Sequence, residues 1–457
     1  MIAVDRSRLP APGVPRPFRF PAIERTPLAS GLDLRVVRHD SVPVVSLVAL
    51  IPGGSAADPA DRPGLAAFAA DLLDDGAGDL DGAGLSDALA RIGAELDVEV
   101  WPDAAVVTVT ALARHAGRAV ALLADLLRRP RFAEADVERV RALRLDRLRQ
   151  MRAQAPARAD RAFVRRLFGG HPYGHHGIGD AAGIRAATVG EIRAFHAARA
   201  VPAAVTLVVG GAIDTSAAHR LIETAFGDWQ GPAAAAAPPL DAPTPAPAPR
   251  RVLLVPRPGA SQSELRIGHV GVARTTPDYH ALVLWNAVLG GQFVSRLNLT
   301  LRQQKGYTYG VRSGFDFRRG RGPFSVQTSV QGSATADAVE DVWREVAAMC
   351  ADQPPTVAEL DRAKAAVGRG YPLGFETAQQ VARGAAQLAL HRLPDDHFAR
   401  FVPTLDAVDE GAVGAAAGRH VRPDALTTVV VGDQGSVSAQ FAALGVEVEV
   451  QPEEREA

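Results

Sequence analysis

Twelve histidines and one cysteine make up the obvious catalytic inventory of this 457-residue chain. The only dense histidine cluster is His171-Pro172-Tyr173-Gly174-His175-His176. The glycine and proline in it predict a loop, so the i,i+4 spacing does not place two imidazoles on one helical face. A structured turn before the next helix is the favoured reading. No H-E-x-x-H, H-x-x-E-H or H-x-H occurs anywhere, so by motif the chain has no zinc site of its own. Cys350 closes an amphipathic stretch, Trp343 to Cys350, and reads as a buried, inert thiol rather than a nucleophile. Gly290-Gly291 follows an apolar helix and reads as a helix stop, glycine reaching left-handed dihedrals cheaply. The Lys-Ser/Thr ending of a phosphate loop is missing. No nucleophile–base arrangement supports an independent hydrolase.

Bulk properties narrow the classes further. Fifty Lys and Arg against 51 Asp and Glu give a net charge of −1, which excludes a nucleic-acid binder working through bulk charge. A single cysteine rules out an internal disulfide and a cysteine-rich zinc module. No run approaches the roughly 18 apolar residues of a membrane span. Prolines and charges fill the first twenty residues where a signal peptide needs an apolar stretch, and the expected location is cytoplasmic.

The elements that must position any site fall into two similar halves. Residues 231–249, dense in proline and alanine, read as an extended linker between halves at 20–230 and 250–447. Arg118–Arg149 and Asp337–Gly370 share a pattern: an amphipathic helix, a proline-containing break and a charged helix. Arg139 and Arg362 match at an offset of 223, Pro202 and Pro423 at 221. A near-constant offset at independent points predicts an internal duplication, which places Val201–Val209 and Thr427–Val431 at equivalent sheet positions. Within each half, alternating β-rich runs and helix pairs predict an α+β fold: a mainly antiparallel sheet covered by helices, the two halves facing each other as a clamshell.

Leu289–Val311, with its Gly-Gly turn, Ser295-Arg296-Leu297, Leu301-Arg302 and Gly306-x-x-Tyr309, resembles the C-terminal half of inverzincin metallopeptidases of the pitrilysin and mitochondrial-processing-peptidase type. The resemblance extends over about 30–435 and includes the duplication. It implies that an inverted zinc motif, H-x-x-E-H, belongs on the first-half helix starting near Gly64. Positions i, i+3 and i+4 share a helical face, which aims both ligands and the base at one metal. Here those positions are Ala67, Ala70 and Asp71, and a gapless count puts the third ligand position at Arg147, with Glu138 reachable only through an indel. The motif is therefore degenerate. The chain is expected to bind no zinc, and Asp71 is expected to pair with Arg147.

In the same family an Arg and a Tyr seven residues apart reach the zinc site from the facing half to hold substrate backbone and oxyanion. They map to Arg302 and Tyr309, which on residue type alone could also be purely structural, a helix end running into a strand with Tyr309 packing the core. The resemblance implies the non-zinc subunit of a two-subunit zinc metallopeptidase. A zinc-bearing homologous partner would then carry the metal, and a peptide would be the substrate. The alternative is a non-catalytic scaffold with the same fold.

Overall fold

Val44–Pro52, a nearly continuous apolar run, and Gln262–Val270, which carries Ser263, Glu264, Arg266 and His269 among its apolar residues, are both buried along almost their whole length, as strands covered on both faces are. Each is the centre of a six-stranded sheet in this computed structural model, which describes Gly13 and residues 18–241 and 250–452. Val44–Pro52 lies antiparallel between Thr206–Gly211 and Ala104–Leu112, with Val48 opposite Val208 on one side and Thr108 on the other. Gln262–Val270 lies antiparallel between Thr427–Gly432 and Pro323–Gln331, with Ile267 opposite Thr428 and Val326. Outward from these, Asp33–Arg38 and Arg251–Pro256 pair parallel with Thr206–Gly211 and Thr427–Gly432. Glu95–Val100 and Val311–Phe315 pair antiparallel with Ala104–Leu112 and Pro323–Gln331. The two sheets thus share one topology over five strands, as the duplication requires. They differ at one edge, where Ile23–Arg25 adds antiparallel to the first and Glu447–Val450 adds parallel to the second.

Each sheet buries one face under helices of its own half. Leu65–Asp71, Ala116–Arg128 and Thr215–Phe226 close the first core, and Tyr279–Asn286, Thr335–Cys350 and Gln434–Ala443 close the second. The other face is covered by exchange. Ala378–Leu390, from the second half, lays Val381, Ala382, Ala385 and Ala386 on Val48, Val106 and Val208 of the first sheet. Ala155–Phe168, from the first half, lays Ala155, Ala159, Ala162 and Phe163 on Val255, Val429 and Val431 of the second. Alanine dominates both helix faces because a small side chain lets the helix approach the sheet closely. A Cβ built on Gly210 would lie 2.9 Å from the Cβ of Ala382.

A buried polar lock ties the halves together. Tyr173 donates its hydroxyl to Asp103 Oδ1 at 2.6 Å and accepts the Gly320 N–H at 3.1 Å, while Asp103 Oδ2 accepts the Arg319 N–H at 2.8 Å. Burial and the Asp103 carboxylate push the Tyr173 phenol well above its ordinary range, so it stays a donor. Of the expected linker, residues 231–241 carry no regular secondary structure, and Ala235 donates its N–H to Ala198 O at 3.0 Å. Residues 242–249 lie outside the described residues.

Candidate functional site

The first-half helix Leu65–Asp71 starts at Gly64, whose φ of 94° a residue with a side chain would adopt only under strain. Asp58 holds this start, its two carboxylate oxygens each accepting a backbone N–H, from Gly64 and Ala66, at 2.7 Å. His175 Nε2 meets Asp58 Oδ2 at 2.9 Å. The His171–His176 loop is thus the brace of this helix rather than a ligand set. His171 Nδ1 accepts the Tyr173 N–H and His176 Nδ1 the Ile178 N–H, as in a structured turn.

On that helix Ala70 is buried, Ala67 is partly buried, and Asp71 reaches out to an arginine. The arginine is Arg144, not Arg147. Arg144 is 4% exposed, ion-pairs with Asp71, donates to Ile178 O at 2.9 Å and stands 5.5 Å from the centre of the Phe68 ring. Burial pulls its guanidinium below the usual arginine range, and Asp71 opposes that loss. Arg147 and Glu138 are exposed, Glu138 pairing with Arg141. The correction has a simple cause. Val137, Val140, Arg144 and Leu148 form the buried stripe of the helix Glu134–Ala153, so position 144 sits within the stripe facing Leu65–Asp71, while 147, about 60° round the helix from it, is exposed. The helical period of this stretch was the signal that a linear count overlooks. A guanidinium and two methyl groups offer zinc no lone pair, and the one carboxylate there is held by Arg144, so the residues do not fit the metal. Among the described residues no three His, Cys, Asp or Glu side chains converge as a metal set.

The Arg302–Tyr309 segment is built differently. The helix Tyr279–Asn286 widens into π turns at Ala287–Gly291 and ends there, and a separate π segment follows at Asn298–Gln304. Gly290 and Gly291 keep negative φ, so the left-handed stop expected of them is not their role. They are small because a Cβ would strike Ser313 Oγ at 2.7 Å or Asn286 Nδ2 at 2.6 Å. Asn298, 4% exposed, fastens three pieces of chain. Its Nδ2 donates to Gln292 O at 3.2 Å, Ser295 Oγ at 3.0 Å and Val311 O at 2.9 Å, and its Oδ1 accepts the Val311 N–H at 3.0 Å. Phe293, Arg302 and Tyr309 all branch from this junction. The Arg302 guanidinium lies 4.3 Å from the centre of the Phe293 ring, itself 66% exposed, and Tyr309 is 94% exposed. An exposed Tyr309 and a guanidinium lying against an exposed Phe293 ring are what the core reading of this pair would not produce.

Cys350 is partly buried, and burial pushes its thiol up to about 12, which suppresses the thiolate a nucleophile requires.

Residues 35–180 match the insulinase (peptidase family M16) family, and residues 186–367 match the peptidase M16 inactive domain. The chain belongs to the M16 peptidase family. Uncharacterized zinc proteases of Mycobacterium leprae and Mycobacterium tuberculosis are each 27% identical to it. The first alignment covers 86% of this chain and 88% of the relative, the second 91% and 94%. Among solved structures, a peptidase M16 inactive domain from Pseudomonas fluorescens superposes with a TM-score of 0.84 at 25% identity, over 90% of this chain and 98% of the other. A Helicobacter pylori protease shares the fold at a TM-score of 0.83 and 17% identity, over 91% of this chain and 100% of the other. The boundary between the two matched regions near residue 186 is not a sheet boundary, since Thr206–Gly211 still pairs within the first sheet. Among the described residues no helix is long and apolar enough to cross a membrane.

Proposed function

We propose that this M16 chain is the non-zinc subunit of a two-subunit zinc metallopeptidase acting in the cytoplasm, lending Arg302 and Tyr309 to the active site of a homologous partner that carries H-x-x-E-H. The observation that carries the reading is a contrast. The first-half helix has Ala67, Ala70 and an Asp71 tied to Arg144, whereas Tyr309 is 94% exposed and Arg302 is stacked on an exposed ring. That the mycobacterial relatives are named zinc proteases supports the substrate class, and that the Pseudomonas structure is named an inactive domain supports the division of labour.

In this reading the guanidinium of Arg302 offers its fixed fork of donors to backbone carbonyls of the bound peptide. The Tyr309 phenol donates to the oxygen that gains negative charge as the peptide carbonyl turns tetrahedral. Neither residue moves a proton in the bond-breaking step, so their loss slows turnover without preventing assembly.

The test is to mix the chain with an H-x-x-E-H homologue and follow peptide cleavage. Tyr309→Phe is expected to lower turnover of the mixed complex by about 10²–10³, the usual cost of one oxyanion donor, at unchanged assembly and thermal midpoint. Arg302→Ala is expected to act similarly, with a larger share of the loss in KM. Equal turnover of wild-type and Tyr309→Phe complexes at matched zinc content would leave the non-catalytic scaffold as the better account.

A further inference from the structure

Asn298 has its whole side-chain amide committed. It meets Val311 twice, Nδ2 donating to the carbonyl at 2.9 Å and Oδ1 accepting the N–H at 3.0 Å, as an antiparallel strand partner exchanges both bonds with the residue opposite. Nδ2 also faces Gln292 O at 3.2 Å and Ser295 Oγ at 3.0 Å. Asn298 opens the segment Asn298–Gln304, which carries Arg302, and Val311 opens the strand Val311–Phe315, two residues after Tyr309. The short loop between them is pinned on its other side as well. Tyr307 donates its N–H to Leu301 O at 2.8 Å and accepts the Gln331 N–H at 2.9 Å. Gly306 turns at a φ of 66°, and Thr308 Oγ1 accepts the Gly310 N–H at 3.1 Å. Tyr309 itself is 94% exposed, so its backbone rather than packing sets where the phenol lies.

We infer that Asn298 is a positioning residue, which sets where the Tyr309 phenol stands relative to Arg302 across a bound peptide. The inference rests on the shared-site reading of that pair. Two donors that serve neighbouring atoms of one peptide need a fixed separation, and a misplacement of about 1 Å can cost 10²-fold in rate. Arg302 and Tyr309 sit on different pieces of chain, and the Asn298 amide fastens one piece to the other. Its burial makes the clasp specific. At 4% exposure water cannot replace the amide, and its loss leaves the Val311 N–H and carbonyl short of partners. Residue type matters equally. An aspartate would serve the Val311 N–H but set a second oxygen against Val311 O, and a serine hydroxyl is too short to bracket both groups. Being buried, Asn298 acts through Tyr309 and does not itself touch the peptide.

The test mixes the full chain with an H-x-x-E-H homologue and compares wild type, Tyr309→Phe, Asn298→Ala and the double variant in peptide cleavage, at matched zinc content and assembly. Asn298→Ala is expected to lower kcat by about tenfold with KM held within about twofold, since the group it aims acts on the developing oxyanion. The double variant is expected to match Tyr309→Phe within about twofold, because without the phenol hydroxyl Asn298 has nothing left to aim. A structural role alone would multiply the two losses, and that result overturns the inference. In the isolated chain the Val311 amide is expected to exchange its hydrogen at least about tenfold faster in Asn298→Ala, and unchanged exchange also overturns it. Should that variant fail to fold, Asn298→Asp, which keeps the size and the acceptor for the Val311 N–H, is expected to lose about threefold in kcat with the same non-additivity. Wild-type turnover in the folded Asn298 variant beside a slow Tyr309→Phe overturns the positioning role and leaves the shared site standing. Wild-type turnover in Tyr309→Phe overturns both.

Discussion

Asp71 and Arg144 show how a vacated metal position is refilled. The guanidinium is buried while the carboxylate side chain keeps 41% of its surface in solvent, so the two partners do not depend on each other equally. Removing Asp71 leaves a buried cation with carbonyl partners only. Removing Arg144 leaves a carboxylate that water can reach. Asp71→Asn is therefore expected to lower unfolding free energy by about 1–3 kcal/mol, read from the urea midpoint at constant m-value. No change would show that Ile178 O and the Phe68 ring already satisfy Arg144. Cys350 offers a second check at this scale. Its thiol, raised by burial to about 12, is expected to resist iodoacetamide at pH 8 in the native state and to react once the protein is unfolded. Rapid native labelling would place it outside the core.

At the scale of elements, the exchanged helices Ala378–Leu390 and Ala155–Phe168 decide how the halves hold together. Their contact faces work because they are small. Ala382 is fully buried against the first sheet, with Gly210 beneath it, so a larger side chain must displace either the helix or the strand. Ala382→Leu is expected to destabilise by about 1–3 kcal/mol through overpacking, measured by chemical denaturation. The exposed Ala351→Ser serves as a control and should change stability by less than about 0.5 kcal/mol. An equally small effect at Ala382 would mean that the helix does not seat on the sheet as described.

The molecule as a whole carries histidines that folding keeps neutral. His269, fully buried, faces Val270 O at 3.0 Å through Nδ1 and accepts the Arg422 N–H at 3.1 Å through Nε2, and burial holds it down at about 4. His391, 8% exposed, is likewise held at about 4, with burial the first cause. Both would take a proton near 6.5 in the unfolded chain. The unfolded state therefore binds more protons between pH 6.5 and 4. The stability these groups confer is full above pH 6.5 and lost as pH falls through that window, by at most about 1.4 kcal/mol per pH unit for each. The thermal midpoint is expected to drop from pH 7 to pH 5, and His269→Gln should flatten that slope. A midpoint independent of pH over this range would contradict the buried neutral assignment.

The sequence by itself determined the duplication, the α+β class and the family. All three rest on local periodicity and on motifs short enough to survive in one segment: the β-branched runs ending in Gly, the helix–proline–helix pairs, and Leu289–Val311 with Arg302 and Tyr309. It also showed that Ala67 and Ala70 carry no ligand atom, because residue type settles that without geometry. Only the tertiary structure decided which partner Asp71 meets, since a linear count treats Arg144 and Arg147 alike while the helix turns one inward and the other to solvent. The same holds for Gly290 and Gly291, whose smallness answers Ser313 and Asn286 rather than a backbone dihedral. Each half reads alone as a sheet with helices on one face. That the second face of each is covered by a helix from the opposite half, and that one of these helices, Ala155–Phe168, carries Arg158, Arg161 and Arg165 into a shared cavity, depends on contacts between residues some 100 to 340 positions apart. Such contacts are fixed by which apolar surfaces remain unburied once the local elements have formed, a property of the assembled chain that no local pattern encodes.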